Sequence, residues 1–270
     1  MSKKLLALDI DGTLTNTQKD ITPATLEKII EAQEKGHIVA IASGRPLPGI
    51  RKIADTIELD RFGGYVLAFN GGRIVDYSTG EVEYQAVLDN DVVRDIYDYC
   101  LKAGCGMVTY DGDRVITGTD IDGYMTFEAS INHMEIMRID NFREYIDFPL
   151  NKCLLTADPD KAEKIEQELA EKFGDQLNIF RSEPYFVEIM PPNVHKATSL
   201  EKLLEVLDMD RKDLVACGDG YNDLTMIEYA GVGVAMANAQ DIVKEHADYI
   251  TLSNDEDGLV PVVDKFILAD

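Results

Sequence analysis

The chain has 270 residues, 45% of them hydrophobic, enough to bury a core and, at roughly 150 residues per domain, to suggest about two domains. Acidic side chains outnumber basic ones 50 to 26, a formal charge of −24. A field of that sign repels phosphate backbones and anionic lipid, which counts against nucleic-acid and membrane-surface roles and demands a local cation wherever a phosphate is held.

The first apolar run, LLALDI (5–10), follows two lysines, but Asp9 and Asp11 interrupt it well short of an export signal. No other segment reaches the roughly 18 apolar residues of a membrane span. The four cysteines, Cys100, Cys105, Cys153 and Cys217, show neither CxxC nor zinc spacing, and the expectation is a soluble, reduced, cytoplasmic protein. Thr22 before Pro23 predicts a helix start, with Leu26, Ile29, Ile30 and Gln33 on one face and Gly36 as the stop. HIVAIAS (37–43) predicts a strand, PLPGIRKIADTIEL a helix and YVLAFN (65–70) a third strand. Continuous apolar strands separated by amphipathic helices predict a parallel sheet covered on both faces.

The middle of the chain differs. EYQAVL, CGMVTY, RVITG, MEIMRI, LNKCLLTA, LNIFRS and FVEIM are β-rich, and DPDKAEKIEQELAEKFG carries Ala162, Ile165, Leu169 and Phe173 at helical spacing. This predicts an α+β unit over 81–190, bracketed by the turn formers STG (78–80) and PPN (191–193). After it, Lys196 to Leu207 predicts a helix, and LVACG (214–218), VGVAM (232–236) and YITLS (249–253) predict further core strands. The fold class is α/β: a doubly wound parallel-sheet core from 1–80 and 191–270, with the α+β unit inserted.

Four loops carry chemistry. Asp9 and Asp11 follow the first strand directly, at the carboxyl end where doubly wound sheets gather ligands. Two close carboxylates repel, and oxygen-only ligands suit Mg²⁺; the alternative is a solvated Asp-Gly turn. Ser43, Gly44 and Arg45 close the second strand and could hold phosphate oxygens, or Ser43 could simply cap a helix opened by Pro46. Lys196 opens its helix, where an ammonium opposes the macrodipole unless an anion sits between lysine and helix amides. GDGYND (218–223) adds Asp219, Asn222 and Asp223, unless Asn222 is only the cap of the next helix.

DIDGT, SGR, Lys196 and GDGYND, in that order, resemble the four signature motifs of the haloacid-dehalogenase-like phosphohydrolases. The long insert, NGG (70–72) and FVEIMP resemble the Cof-type subfamily. That resemblance implies a Mg²⁺-dependent phosphatase in which Asp9 takes the phosphoryl group as an aspartyl-phosphate. Asp11 would protonate the leaving oxygen and then activate water. The Asp9 carboxylate, the Asp11 backbone carbonyl and Asp219 would hold the metal, with Asp223 holding its waters. Ser43, Lys196, Asn222 and the amides near Ile10 and Gly44 would bind phosphate, and the insert would be a substrate-selecting cap. Thr13, rather than a bulky residue, would leave room for Asp11 to swing. Where the family shows GVxKG this chain reads NVHKA; Asn193 suits a left-handed turn, Ala197 a helix, and His195 reads as an exposed neutral side chain.

Arg45, Asn70 and Glu188 are candidate substrate contacts. Lys152 and Glu188 are polar residues in apolar segments of the insert, near where the resemblance places the leaving group, but the residues themselves favour outward-facing strand positions. The acidic insert disfavours nucleotides and points to small phosphorylated metabolites, neutral sugars first. The expected partner is that metabolite, with no nucleic acid and no membrane, and the chain is expected to be monomeric. A phosphomutase would need a second basic cluster in 81–190, and a non-catalytic phospho-acceptor would need only one small α/β unit.

Overall fold

The computed structural model describes residues 3–269. The chain divides into two compact units, one running to Gly44, over Ile50–Tyr84 and from His195 on, the other formed by Arg45–Gly49 and Gln85–Val194.

The first unit opens with β1 (Leu5–Leu8), α1 (Pro23–Glu34), β2 (Ile38–Ala42), α2 (Leu47–Thr56), α3 (Leu59–Phe62), β3 (Tyr65–Ala68), β4 (Arg73–Asp76) and β5 (Val82–Gln85). α1 begins as its sequence dictates: the Thr25 amide donates to the Thr22 hydroxyl at 3.2 Å, Pro23 occupies the first turn, and Gly36 follows the helix with φ +87°. Its sheet runs β14-β13-β12-β1-β2-β3-β4-β5, completed by the last elements of the chain. Those are α8 (Lys196–Leu207), β12 (Leu214–Gly218), α9 (Leu224–Tyr229), β13 (Val232–Ala235), α10 (Asp241–His246), β14 (Tyr249–Ile250) and α11 (Leu259–Val262), numbered after the inserted elements given below.

From β14 to β3 the strands are parallel, while β4 returns antiparallel to β3. The expected all-parallel sheet therefore gains an antiparallel edge. The STG turn lies between β4 and β5 and joins neighbouring strands of this sheet rather than linking domains. The compact units accordingly part at Tyr84/Gln85 and Val194/His195. Alternation along β1 sends Leu5 and Ala7 into a cluster with Leu200, Leu203 and Leu204 of α8 and Met226 and Ile227 of α9. Leu6 and Leu8 point the other way and are fully buried too, as both-sided coverage requires.

The chain reverses direction across the sheet at β1, which pairs with β2 on one side and β12 on the other. That is the topological switch point, beyond whose carboxyl end open α/β sheets bind ligands.

The second unit contains α4 (Asn90–Ala103), β6 (Gly106–Asp111), β7 (Arg114–Thr117), α5 (Gly123–Ile131), β8 (Glu135–Arg138), α6 (Phe142–Tyr145), β9 (Cys153–Thr156), α7 (Pro159–Phe173), β10 (Asn178–Glu183) and β11 (Phe186–Met190). Its sheet has the order β10-β11-β9-β6-β7-β8, antiparallel except for β7 with β8. One face, through Met107, Cys153, Leu155, Val187 and Ile189, packs on α4 and α7, where Ala162, Ile165, Leu169 and Phe173 are all buried as their spacing predicts. All four cysteines are buried and free. Among the described residues no helix is long and apolar enough to cross a membrane.

Candidate active site

The site grows out of strand register. Leu8 of β1 lies opposite Cys217 of β12 and Ile41 of β2, so the residues that follow each strand emerge side by side. The Asp9 amide donates to the Cys217 carbonyl at 3.1 Å, and the loop then folds back as Leu14 N donates to Asp9 O and Thr15 N to Ile10 O. Asp9 is buried and Asp11, two residues on, is half-exposed.

Lys196 is fully buried at the first turn of α8. Its Nζ stands 2.6 Å from Asp9 Oδ1 and 2.5 Å from Asp223 Oδ1. Asp223 Oδ2 accepts from the amides of Asp219 and Gly220 at 2.9 and 2.8 Å, which pins the loop after β12. Asp219 Oδ1 accepts from the Thr13 hydroxyl at 2.9 Å. Carboxylate oxygens of Asp9, Asp219 and Asp223 lie within 4.8 Å of one another.

The electrostatics follow from this crowding. Burial and the neighbouring Asp223 carboxylate push Asp9 up to about 7, against the pull of Lys196. Burial likewise raises Asp219 to about 6, although the Thr13 hydroxyl favours its charged form. Burial alone would lower the Lys196 ammonium, but Asp223 and Asp9 more than offset this and raise it, so the lysine stays charged. One ammonium cannot neutralise three carboxylates. An all-oxygen donor set of this kind fits a hard divalent cation such as Mg²⁺, which would supply the missing charge.

Asp9, Asp219 and Lys196 thus come together, as do Ser43, Gly44, Asn70 and Asn222. Ser43 follows β2, its amide donating to Leu67 O and its carbonyl accepting from the Asn70 amide. Asn70 is buried with φ 53°, its side chain against Gly44, where a Cβ would meet Asn70 Oδ1 at 3.2 Å. Asn222 Nδ2 donates to Asn70 Oδ1 at 3.2 Å; Asn222 lies in a short 3-10 turn and does not cap α9. Ile10 is buried in the loop behind Asp9. Arg45 groups with the second unit, as does Glu188, which is buried and paired with Lys152 rather than outward-facing.

Several placements differ from expectation. The Asp11 carboxylate lies outside the three-carboxylate cluster, in keeping with a metal role for its backbone carbonyl alone, but it pairs with Lys19 at 2.8 Å, a partner the sequence did not suggest. Asp223, expected beside the metal's waters, belongs to the three-carboxylate group and also accepts from Lys196 and two backbone amides. Thr13 is a donor to Asp219, not merely a small neighbour of Asp11. His195 is partly buried, caps α8 by accepting from the Thr198 amide at 3.3 Å, and is lowered by burial. Asn193 does take the left-handed conformation, with φ 60°. Sequence reasoning missed Asn238, whose Nδ2 donates to Gly12 O at 2.8 Å and whose Oδ1 accepts from the Asn254 amide at 3.0 Å. No local pattern marks an asparagine 226 positions away as a brace of that loop.

The chain is also similar to known proteins in sequence and fold. The family model of haloacid dehalogenase-like hydrolases matches residues 6–263. A haloacid dehalogenase-like hydrolase from Bacteroides thetaiotaomicron superposes with a TM-score of 0.92 at 44% identity, over 98% of this chain and 99% of that one. The 5-amino-6-(5-phospho-D-ribitylamino)uracil phosphatase YcsE of Bacillus subtilis is 32% identical over 98% of this chain and 96% of its own length. A HAD subclass IIB sugar phosphatase, BT4131, shares the fold with a TM-score of 0.79 at 22% identity.

Proposed function

Because the chain belongs to the haloacid dehalogenase-like hydrolase family, we propose that it is a Mg²⁺-dependent phosphatase that hydrolyses small phosphomonoesters, sugar or polyol phosphates first, through an aspartyl-phosphate. The observation that carries this reading is the buried Asp9 carboxylate at the switch point, held by Lys196 beside Asp219. The YcsE relative, named for a ribityl phosphate ester, supports a hydroxylated leaving group. Such substrates are soluble metabolites, and we assign the protein to the cytoplasm as a monomer.

In this mechanism Asp9 attacks phosphorus, its carboxylate forms the new P–O bond and the ester oxygen departs with the bonding pair. Asp11 gives that oxygen a proton. Water then attacks the aspartyl-phosphate, Asp11 takes the water's proton, and phosphate leaves with Asp9 restored. To play this part Asp11 must let go of Lys19; the pair is 38% and 64% exposed at its two side chains, and such surface pairs are worth about 0–1 kcal/mol. Lys196 holds phosphoryl oxygens, and Ser43, Asn222 and the amides near Ile10 and Gly44 complete the cradle. When bound by Asp9, the Asp11 carbonyl and Asp219, Mg²⁺ offsets the repulsion between a carboxylate nucleophile and a dianionic phosphate.

The test is phosphate release from a panel of sugar phosphates, polyol phosphates, nucleotides and p-nitrophenyl phosphate, with Mg²⁺ and with chelator. Metal-dependent release is expected, sugar and polyol esters leading. Interconversion of hexose 1- and 6-phosphates without net phosphate release would assign a mutase instead, and silence across the panel would defeat the proposal.

A further inference from the structure

The segment between β1 and α1 carries Asp11 yet contains neither strand nor helix. A second loop, 253–257, clips it in place. Thr17 donates to Asp255 twice, from its amide to Oδ1 at 2.8 Å and from its hydroxyl to Oδ2 at 2.6 Å. Asn254 Nδ2 donates to Thr15 O at 2.9 Å. The hydroxyls of Thr22 and Thr25 both donate to Asp257 Oδ1. Through its amide Asn254 also joins Asn238, the brace on Gly12. All of these residues belong to the first unit.

The clip is itself well tied. Ser253 donates to Glu256 Oε2 from its amide and its hydroxyl, and the amides of Glu256 and Gly258 return to Ser253 O at 3.1 and 3.0 Å. Gly258 passes so near Leu252 that a Cβ would stand 2.2 Å from the Leu252 carbonyl oxygen. The tethers reach Asp11 from both sides. Thr15, held by Asn254, donates its amide and its hydroxyl to Ile10 O, each at 2.9 Å, while Gly12 is held by Asn238. Thr17 sits in the turn closed by Lys19 N to Asn16 O at 2.9 Å, and from that turn Lys19 reaches the Asp11 carboxylate.

Stability alone does not call for such a clip. Thr17 and Asp255 are exposed, and hydrogen bonds there compete directly with water. Proton transfer is far more demanding of position, since a misplacement of about 1 Å can cost about 100-fold in rate. An irregular segment has backbone freedom that only outside contacts remove. We propose that Asn254 and Asp255 are positioning residues for the acid–base step: by fixing the backbone that flanks and follows Asp11, they keep its carboxyl in reach of the leaving oxygen and then of water. This rests on the phosphatase reading, because it is Asp11 that moves the proton there.

Asp255→Ala, Asp255→Asn and the double variant Asn254→Ala/Asp255→Ala test it on the full chain. One probe is p-nitrophenyl phosphate, whose phenolate departs without a proton. The other is whichever of glucose 6-phosphate, ribose 5-phosphate and glycerol 3-phosphate the wild type hydrolyses fastest, since an alkoxide departs only with one. The double variant should lose about 10- to 100-fold in kcat/KM on the alkyl ester and less than about 3-fold on p-nitrophenyl phosphate. Retained p-nitrophenyl phosphate turnover also certifies the fold. Asp255→Asn, which keeps an acceptor for the Thr17 amide, should lose less than Asp255→Ala. An equal loss on both esters, no loss on either, or wild-type activity confined to p-nitrophenyl phosphate overturns the positioning role and leaves the phosphatase standing. A wild type that hydrolyses no ester overturns both.

Discussion

Lys196 Nζ and Asp9 Oδ1 are 2.6 Å apart although 187 positions separate them in sequence. The lysine reaches Asp9 from the first turn of α8, and Asp9 leaves the end of β1, so the contact ties the opening strand to the chain that resumes after the insert. Asp223 takes a second N–H of the same ammonium. The network is buried and carries more negative than positive charge, which is the condition that draws in a divalent ion.

Asp9→Asn removes the nucleophile while keeping the side chain's shape. Turnover should fall by at least about 10⁴-fold, as it does when a covalent nucleophile is lost. The same substitution relieves carboxylate repulsion, so the metal-free variant should be more stable than the parent by on the order of 1–3 kcal/mol. Phosphate release and urea unfolding in chelator check the two halves. Activity within tenfold of the parent would place the nucleophile elsewhere.

Metal affinity should depend on pH. Asp9 is raised from 3.8 to about 7, so between those values the folded, metal-free chain holds a proton that the unfolded chain has lost. That proton's contribution to stability is fully present below about pH 4 and is lost as pH rises through about 7. Mg²⁺ competes with it for the carboxylate. Stabilisation by Mg²⁺ should therefore grow from pH 5.5 to pH 8, with proton release on binding below pH 7. Calorimetry in buffers of different ionisation enthalpy measures both, and a flat profile would contradict the raised Asp9.

Much of the first unit is readable before any coordinates. The helix from Pro23 announces itself through Thr22 and Gly36, and apolar runs followed at once by acids place Asp9 and Asp219 beyond strand ends. What sequence cannot supply is side-chain partnership. Lys19 with Asp11, Asn238 with Gly12 and Thr13 with Asp219 are contacts between loops whose approach is fixed only by strand register. In the second unit Val93, Ile96, Tyr97 and Cys100 have the spacing that could have located α4, whereas α6 is a single turn too short for periodicity to register. Lys152 and Glu188 look like solvent-facing strand residues until both faces of their sheet are seen to be buried.

Gly12 should tolerate no side chain. Its φ is +86°, and a Cβ there would stand 2.4 Å from Asp219 Oδ2. Gly12→Ala must strain the loop and displace a proposed metal ligand at once. Mg²⁺ affinity and kcat/KM should both drop by at least about tenfold, while the far-UV spectrum stays unchanged. Gly36→Ala serves as a control, because φ is similarly positive at +87° but nothing lies within 4 Å of the added Cβ. Equal activity losses in the two variants would show that backbone strain alone, not the collision with Asp219, is responsible.

Lys196→Met keeps the length and apolar stem of the lysine but deletes its charge. Asp9 and Asp223 would then face each other in a buried site without a counter-ion, and breaking a buried pair in this way costs about 3–5 kcal/mol. The variant should unfold at lower urea in chelator and recover part of the loss in Mg²⁺. In chelator the variant should also regain stability as pH falls towards 6, because protonating Asp9 removes one of the two charges. Activity should not follow stability back, since the phosphoryl group has lost its ammonium in either condition; a loss of at least about 10³-fold is expected at saturating metal. Unfolding in urea with and without Mg²⁺ at two pH values, alongside steady-state phosphate release, separates the two roles. A variant as stable as the parent in chelator would mean that the carboxylates do not rely on Lys196.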